Sequence, residues 1–196
     1  GGGTLTELFI SEYVEGTSNN KAIEIFNGTS GAINLTSNAY KLEFYFNGAT
    51  TAATTINLSG TINPGSVFVV ASSLANSTIL NVANQTSSSA FYNGNDAIVL
   101  KKGSTIVDVI GQVGFNPGTE WGSGLISTAD NTLRRLETTT QGDINPNDVF
   151  NPATEWIGYS TDTFDGLGTF TPVQQTFQFT AAISNGWNLV SIPGLL

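Results

Sequence analysis

Carboxylates are the leading candidates for chemistry in this sequence, because His and Cys are both absent. The commonest general base and the thiol nucleophile are therefore missing, and a Ser-His-Asp arrangement is impossible. Without Cys there is also no disulfide framework and no thiolate metal site. What remains is a pair of acids flanking a bond, as in glycosidases. Glu12 and Glu15 lie close together, and Glu24 and Glu43 fall inside strand-like runs. Alternation in those runs predicts that all four are outward strand residues and turn caps, so no catalytic residue is assigned and the chain is read as a non-enzyme. Asp143-Ile144-Asn145-Pro146-Asn147-Asp148 alternates oxygen donors as a calcium loop does. It lacks the turn glycine and the bidentate Glu at the right distance, and reads better as an Asx-rich turn. Asp162 to Gly166 is similarly generic. No metal site or cofactor is assigned, although one adventitious Ca²⁺ is compatible with these carboxylates.

Arg134-Arg135 reads as a pair of partners for nearby acids rather than as a basic contact patch. Glu120-Trp121 and Glu155-Trp156 repeat a dipeptide. Anchoring of a loop in the core is the plain reading of those rings, and stacking on carbohydrate the sharper one. Asn27, Asn34, Asn57, Asn76 and Asn84 each begin an N-x-S/T triplet, which a chain so rich in Asn and Thr produces by chance.

These residues must be positioned by short strands. Apolar residues make up 39% of the 196 and charged ones only 11%, while Thr, Ser and Asn together account for roughly a third. That balance fits a β-rich exported or surface protein with Thr on its strands and Asn and Gly in its turns. The net charge of −9 leaves no Lys/Arg stripe to neutralise phosphates, so nucleic-acid binding is not expected. No apolar run reaches the roughly 18 residues a membrane span needs. Met is absent, so the sequence is read as processed or cut from something longer, with Gly1 to Gly3 as a processed end, a linker or a scar. The length suits one substantial core plus a small appendage.

Strand patterns run from Leu5 to Val14, Lys21 to Phe26, Tyr40 to Phe46, Ile56 to Leu58, Val67 to Val70, Ala97 to Leu100, Thr105 to Ile110 and Leu133 to Leu136. In the second run Ile23 and Ile25 are predicted to face in and Glu24 out. Only Ser73 to Val82 has a weak helical pattern. From Asn116 to Thr171 the chain reads as loop-rich, pinned by Trp121, Phe150, Trp156 and Phe164. Strands at this spacing between Asn/Gly/Pro turns predict an all-β antiparallel sandwich or barrel.

Several ordered segments carry a resemblance. They include Phe9 to Gly16, Asn19 to Gly28, Leu58 to Ile62, Asn93 to Ala97, Val109 to Gly114, Gly118 to Gly122, Asp130 to Arg135 and Asp162 to Gly168. Together, over about residues 5 to 170, they resemble the bacterial lamin-tail domains of secreted and surface proteins. The resemblance implies an immunoglobulin-like antiparallel β-sandwich with long loops. It also implies a mostly non-catalytic role in adhesion, anchoring or protein contact, outside the cell or on its surface. Residues 1–171 are taken as that domain, and residues 172–196 as a linker and C-terminal β-hairpin extension.

In that extension Thr176 to Ile183 alternates, with Phe177, Phe179 and Ile183 on one face. Asn185-Gly186 supplies a two-residue turn, and Trp187 to Ile192 returns. A lone hairpin cannot cover such a face by itself. Phe177, Phe179, Ile183, Trp187, Leu189, Val190 and Ile192 are therefore expected to form an assembly interface with protein, most simply another copy of the chain. Packing in cis, a truncated second domain and strand addition to a neighbour, which generates a filament, all stay open at this level. An accessory domain of a larger secreted hydrolase or nuclease and a carbohydrate-binding module are the competing functions.

Overall fold

Runs of β-branched and aromatic residues broken by Asn, Gly and Pro form short strands throughout. In chain order they are β1 (Phe9–Glu15), β2 (Lys21–Phe26), β3 (Ile33–Asn34), β4 (Tyr40–Tyr45), β5 (Thr54–Asn57), β6 (Thr61–Ile62) and β7 (Val67–Ser72). Then follow β8 (Gln85–Ser87), β9 (Ala97–Lys102), β10 (Thr105–Ile110), β11 (Gly122–Ser123), β12 (Ile126–Ser127), β13 (Asn131–Arg135) and β14 (Trp156–Ser160). The one-turn helix α1 (Ser77–Leu80) starts where the Asn76 side chain accepts the Ile79 amide. This is a computed structural model that describes residues 5–173. The expected hairpin and its interface residues Phe177, Phe179, Ile183, Trp187, Leu189, Val190 and Ile192 lie outside the described residues.

Two sheets make an all-β sandwich. A six-stranded sheet runs β14-β13-β1-β2-β7-β8, and a four-stranded one runs β10-β9-β4-β5. Pairing is antiparallel except between β7 and β8. Between the sheets Ile10, Tyr13, Ile23, Ile25, Val70 and Leu133 meet Leu42, Phe44, Ile98, Leu100 and Ile110, all buried. Each such side chain contributes about 1.5–3 kcal/mol by leaving water. Ala97 to Ile110 forms the expected hairpin, with Lys101 and Lys102 inside the strand and Gly103 in the turn at φ +60°.

The stretch from Asn116 to Thr171 is more regular than its loop-like composition predicts. It holds β11 to β14, and β13 pairs with β1 while β14 extends the same sheet. β14 escapes the alternation test because, among the described residues, it is an edge strand in which Trp156 is buried and Ile157, Gly158 and Tyr159 are at least partly exposed.

Two bulges break the period-2 rule. In β1 the register against β2 shifts between Ile10 and Glu12, so Ile10 and Tyr13 both reach the core although three residues apart. Ser11 and Glu12 then share the outer face of the sheet. In β10 the shift lies between Ile106 and Asp108, and Val107 and Ile110 likewise both reach the core. Asp108, paired with the core residue Leu100, turns inward.

Candidate functional site

The outer face of the six-stranded sheet holds an unusual pair. Glu12 on β1 stands directly opposite Glu24 on β2. Neither is an outward, solvated residue as alternation predicted, for their exposures are 2% and 0%. The face assigned to Glu24 is right, but that face is covered. The covering segment runs from Thr163 to Phe170 across the sheet. Leu167 and Phe164 pack with Val14, Ala22, Val69 and Ala71. Phe170 lies 4.9 Å from the Phe26 ring and 5.5 Å from that of Phe9.

Polar contacts fix this strap. The Gly168 amide donates to Glu24 Oε2 at 2.6 Å, and Ser11 Oγ donates to Glu24 Oε1 at 2.7 Å. Arg134 Nε donates to Glu12 Oε2 at 3.2 Å, while its Nη2 bonds Asp165 on the strap. Glu12 Oε1 is buried with no hydrogen-bond partner among the described residues. Burial raises Glu12 from 4.5 to about 8; Arg134 offsets part of this and the facing Glu24 adds to it. Burial likewise raises Glu24 from 4.5 to about 7, against the lowering effect of Ser11 and Gly168. A Cβ on Gly166 would crowd Arg134 Nε and Glu12 Oε2, so any larger residue there would push the ends of those side chains aside.

A second acid, Asp108, is buried at the junction of the two sheets. It accepts the amides of Ile10 (2.7 Å) and Asp143 (2.8 Å) and pairs with Arg135. Arg135 also reaches Glu155 and the Ile10 carbonyl, and its guanidinium lies 4.3 Å from the Trp156 ring. Arg134 and Arg135 are thus partners for acids, as expected. Trp121 and Trp156 are 5% and 2% exposed. They are core anchors, and neither ring is open for carbohydrate to stack on.

Glu43 is also not outward and free, being 7% exposed. It pairs with Lys41 and Lys101 and accepts the Tyr45 hydroxyl. Burial opposes its charge, but the bonds from Lys101, Lys41 and Tyr45 outweigh it and lower Glu43 from 4.5 to about 2. Because the folded value lies below the unfolded one, Glu43 contributes stability that is complete above about pH 4.5 and is lost as pH falls towards 2. Glu43→Gln is therefore expected to flatten the acid limb of stability between those limits, read as urea midpoints at stepped pH. An unchanged limb would remove this account. Glu15 pairs with Lys21 and accepts the Asp130 amide, which makes it a turn fastener.

The loop at 143–148 forms consecutive Asx turns, with Asp143 accepting the Asn145 amide and Asn145 that of Asn147. It borders an open cleft of about 310 Å³ lined by Asp143, Ile144, Val149 and Glu155 among others. Asp162 is occupied by the Thr17 amide and hydroxyl and by Asn20. Among the described residues no three His, Cys, Asp or Glu side chains converge to hold a metal, and no helix is long and apolar enough to cross a membrane.

Sequence reading missed the Glu12–Glu24 pairing and the role of Asp108. The signal for both was the odd spacing of core residues, Ile10 to Tyr13 and Val107 to Ile110, which an even-period strand does not give.

Comparison with protein families finds that residues 4–114 match the model of the lamin tail domain. The match ends just past β10, yet β13, beyond it, is hydrogen-bonded to β1 within it. No curated protein and no solved structure matches the chain.

Proposed function

Since this chain belongs to the lamin tail domain family, whose members are typically non-enzymatic immunoglobulin-like domains, we propose that it is a non-catalytic protein-interaction module of a bacterial extracellular or surface protein, with a structural or adhesive role. The observation that carries this reading is how the strand acids are used. Glu15, Glu43 and Asp108 are held in ion pairs, and Glu12 and Glu24 lie beneath the strap. The open cleft at Asp143, Asp148 and Glu155 is lined by none of these five strand acids. The Thr- and Asn-rich, charge-poor composition supports an extracellular setting.

The proposed contact is made by the apolar alternation in residues 176–192, added as strands to a neighbouring copy. Sheet edges favour it, because among the described residues β14 ends the six-stranded sheet with β13 on one side only. The test is sedimentation velocity and electron microscopy of the complete chain. Wild type is expected to form larger species as concentration rises. Replacing Phe177, Phe179 and Trp187 with Ser is expected to leave monomers with an unchanged circular dichroism spectrum. A wild type that stays monomeric at the highest attainable concentration, or a variant that assembles equally well, would overturn the assembly reading.

A further inference from the structure

Two carboxylates buried face to face, with a peptide strap closed over them, form an arrangement that folding alone does not require. Cross-strand partners of like charge destabilise a sheet, and burial makes the conflict worse. A Thr, Val or Gln at either position would remove the conflict and still pack. The surrounding charges do not resolve it either. Arg134 on β13 is the one cation bonded to the pair, and it is shared with Asp165 on the strap. Its guanidinium also lies 4.2 Å from the Tyr159 ring on β14. β7, on the other side of β2, has no charged residue. Asp162 and the Glu15–Lys21 pair are engaged at the β1–β2 turn. Full ionisation would therefore set three carboxylates, Glu12, Glu24 and Asp165, against one guanidinium.

We propose that Glu12 and Glu24 form a proton-operated latch: protonated, they hold the Thr163–Phe170 strap on the outer face of the six-stranded sheet, and loss of their protons as pH rises releases it. Release lets water reach both carboxylates and uncovers the apolar surface of Phe9, Val14, Phe26 and Val69. The strap is suited to move as a unit. Its ties to the sheet include the Gly168 amide on Glu24, Arg134 on Asp165, the Thr132 hydroxyl on the Thr163 carbonyl, the Thr163 amide on the Ser160 carbonyl, the buried Leu167 side chain, and the rings of Phe164 and Phe170. It pairs with no strand of either sheet.

The sign follows from the raised values of both acids. The folded state holds protons that the unfolded chain has already lost above about 4.5, so the closed strap loses stability as pH rises through about 7 and 8. This is opposite to the limb set by Glu43, so the two are separable. The latch does not depend on the assembly reading, since it resides wholly in the sandwich.

The experiment is amide hydrogen exchange of the complete chain, read by mass spectrometry at stepped pH from 5 to 9. Rates are corrected for the intrinsic base-catalysed rise. In wild type, protection of residues 163–170 is expected to fall by about tenfold or more across that range, while the amides of β4 and β9 keep theirs. Glu12→Gln and Glu24→Gln, which keep shape and remove the charge, are expected to flatten that fall. Asp165→Asn, which removes one tie of the strap and a charge that helps raise Glu12 but leaves both carboxyls of the pair in place, is expected to retain it. Carbon-detected titration of the wild-type Glu12 and Glu24 carboxyls reads the same groups without any substitution. Midpoints for both acids at or below about 5 would overturn the latch. So would a pH dependence unchanged in both Gln variants, or a loss of protection spread evenly over both sheets.

Discussion

Asp108→Ala is expected to lower the unfolding free energy by about 3–5 kcal/mol, among the largest effects of any single substitution in the sandwich. Both partners of the Asp108–Arg135 pair have fully buried side chains. Removing the carboxylate strands the guanidinium with Glu155, which is 45% exposed, as its remaining acidic partner. It also leaves the Ile10 and Asp143 amides without their acceptor. Each orphaned donor adds its own desolvation penalty. Urea titration at neutral pH measures the loss, and a change below about 1 kcal/mol would refute the account. The double substitution Asp108→Asn/Arg135→Met separates charge from packing. It is expected to be more stable than Asp108→Asn alone, because no buried charge is then left without its partner.

Tyr92→Ala is expected to cost a similar amount, about 3–5 kcal/mol, for a different reason. Tyr92 belongs to no strand, yet its side chain is fully buried. Its ring stacks on Tyr13 at 4.9 Å and meets Phe44 edge-on at 5.2 Å, so it joins the two sheets. Its hydroxyl donates to the Ala22 carbonyl at 2.7 Å and lies 2.9 Å from that of Val14. Alanine would leave a cavity that a β-sandwich, held by its ladders, cannot collapse to fill. Tyr92→Phe keeps the ring and is expected to cost about 1 kcal/mol, the hydroxyl's share. Equal losses for the two variants would show that the hydroxyl rather than the ring carries the effect.

The strands that build the core were readable because their patterning is local. Lys21 to Phe26 and Ala97 to Ile110 alternate or run apolar between clear turn residues, and they form β2 and the β9–β10 hairpin where expected. Arg134 and Arg135 were readable as acid partners because so few bases serve so many acids. β14 was not, since a strand paired on one side only among the described residues needs one buried face, and Gly158 weakens its signal further. The burial of Glu12 and Glu24 was not readable either. Alternation reports which face a side chain takes, but not whether another segment of the chain lies over that face.

The acids show the same division most plainly. Sequence by itself determined that chemistry here had to rest on carboxylates, that the chain would fold into antiparallel strands, and that it resembled the family to which it belongs. The first two follow from composition and from contacts between residues near in the chain, and the third from ordered segments that are similar to those of the family. Tertiary structure alone decided what each acid does. Two bulges, one in β1 and one in β10, turned Glu12 outward beneath the strap and Asp108 inward onto Arg135. A bulge shifts the phase of every side chain after it, and its partners lie more than a hundred residues away for Glu12 and Arg134. No local pattern encodes a contact at that separation, so only the packed sheets could reveal it.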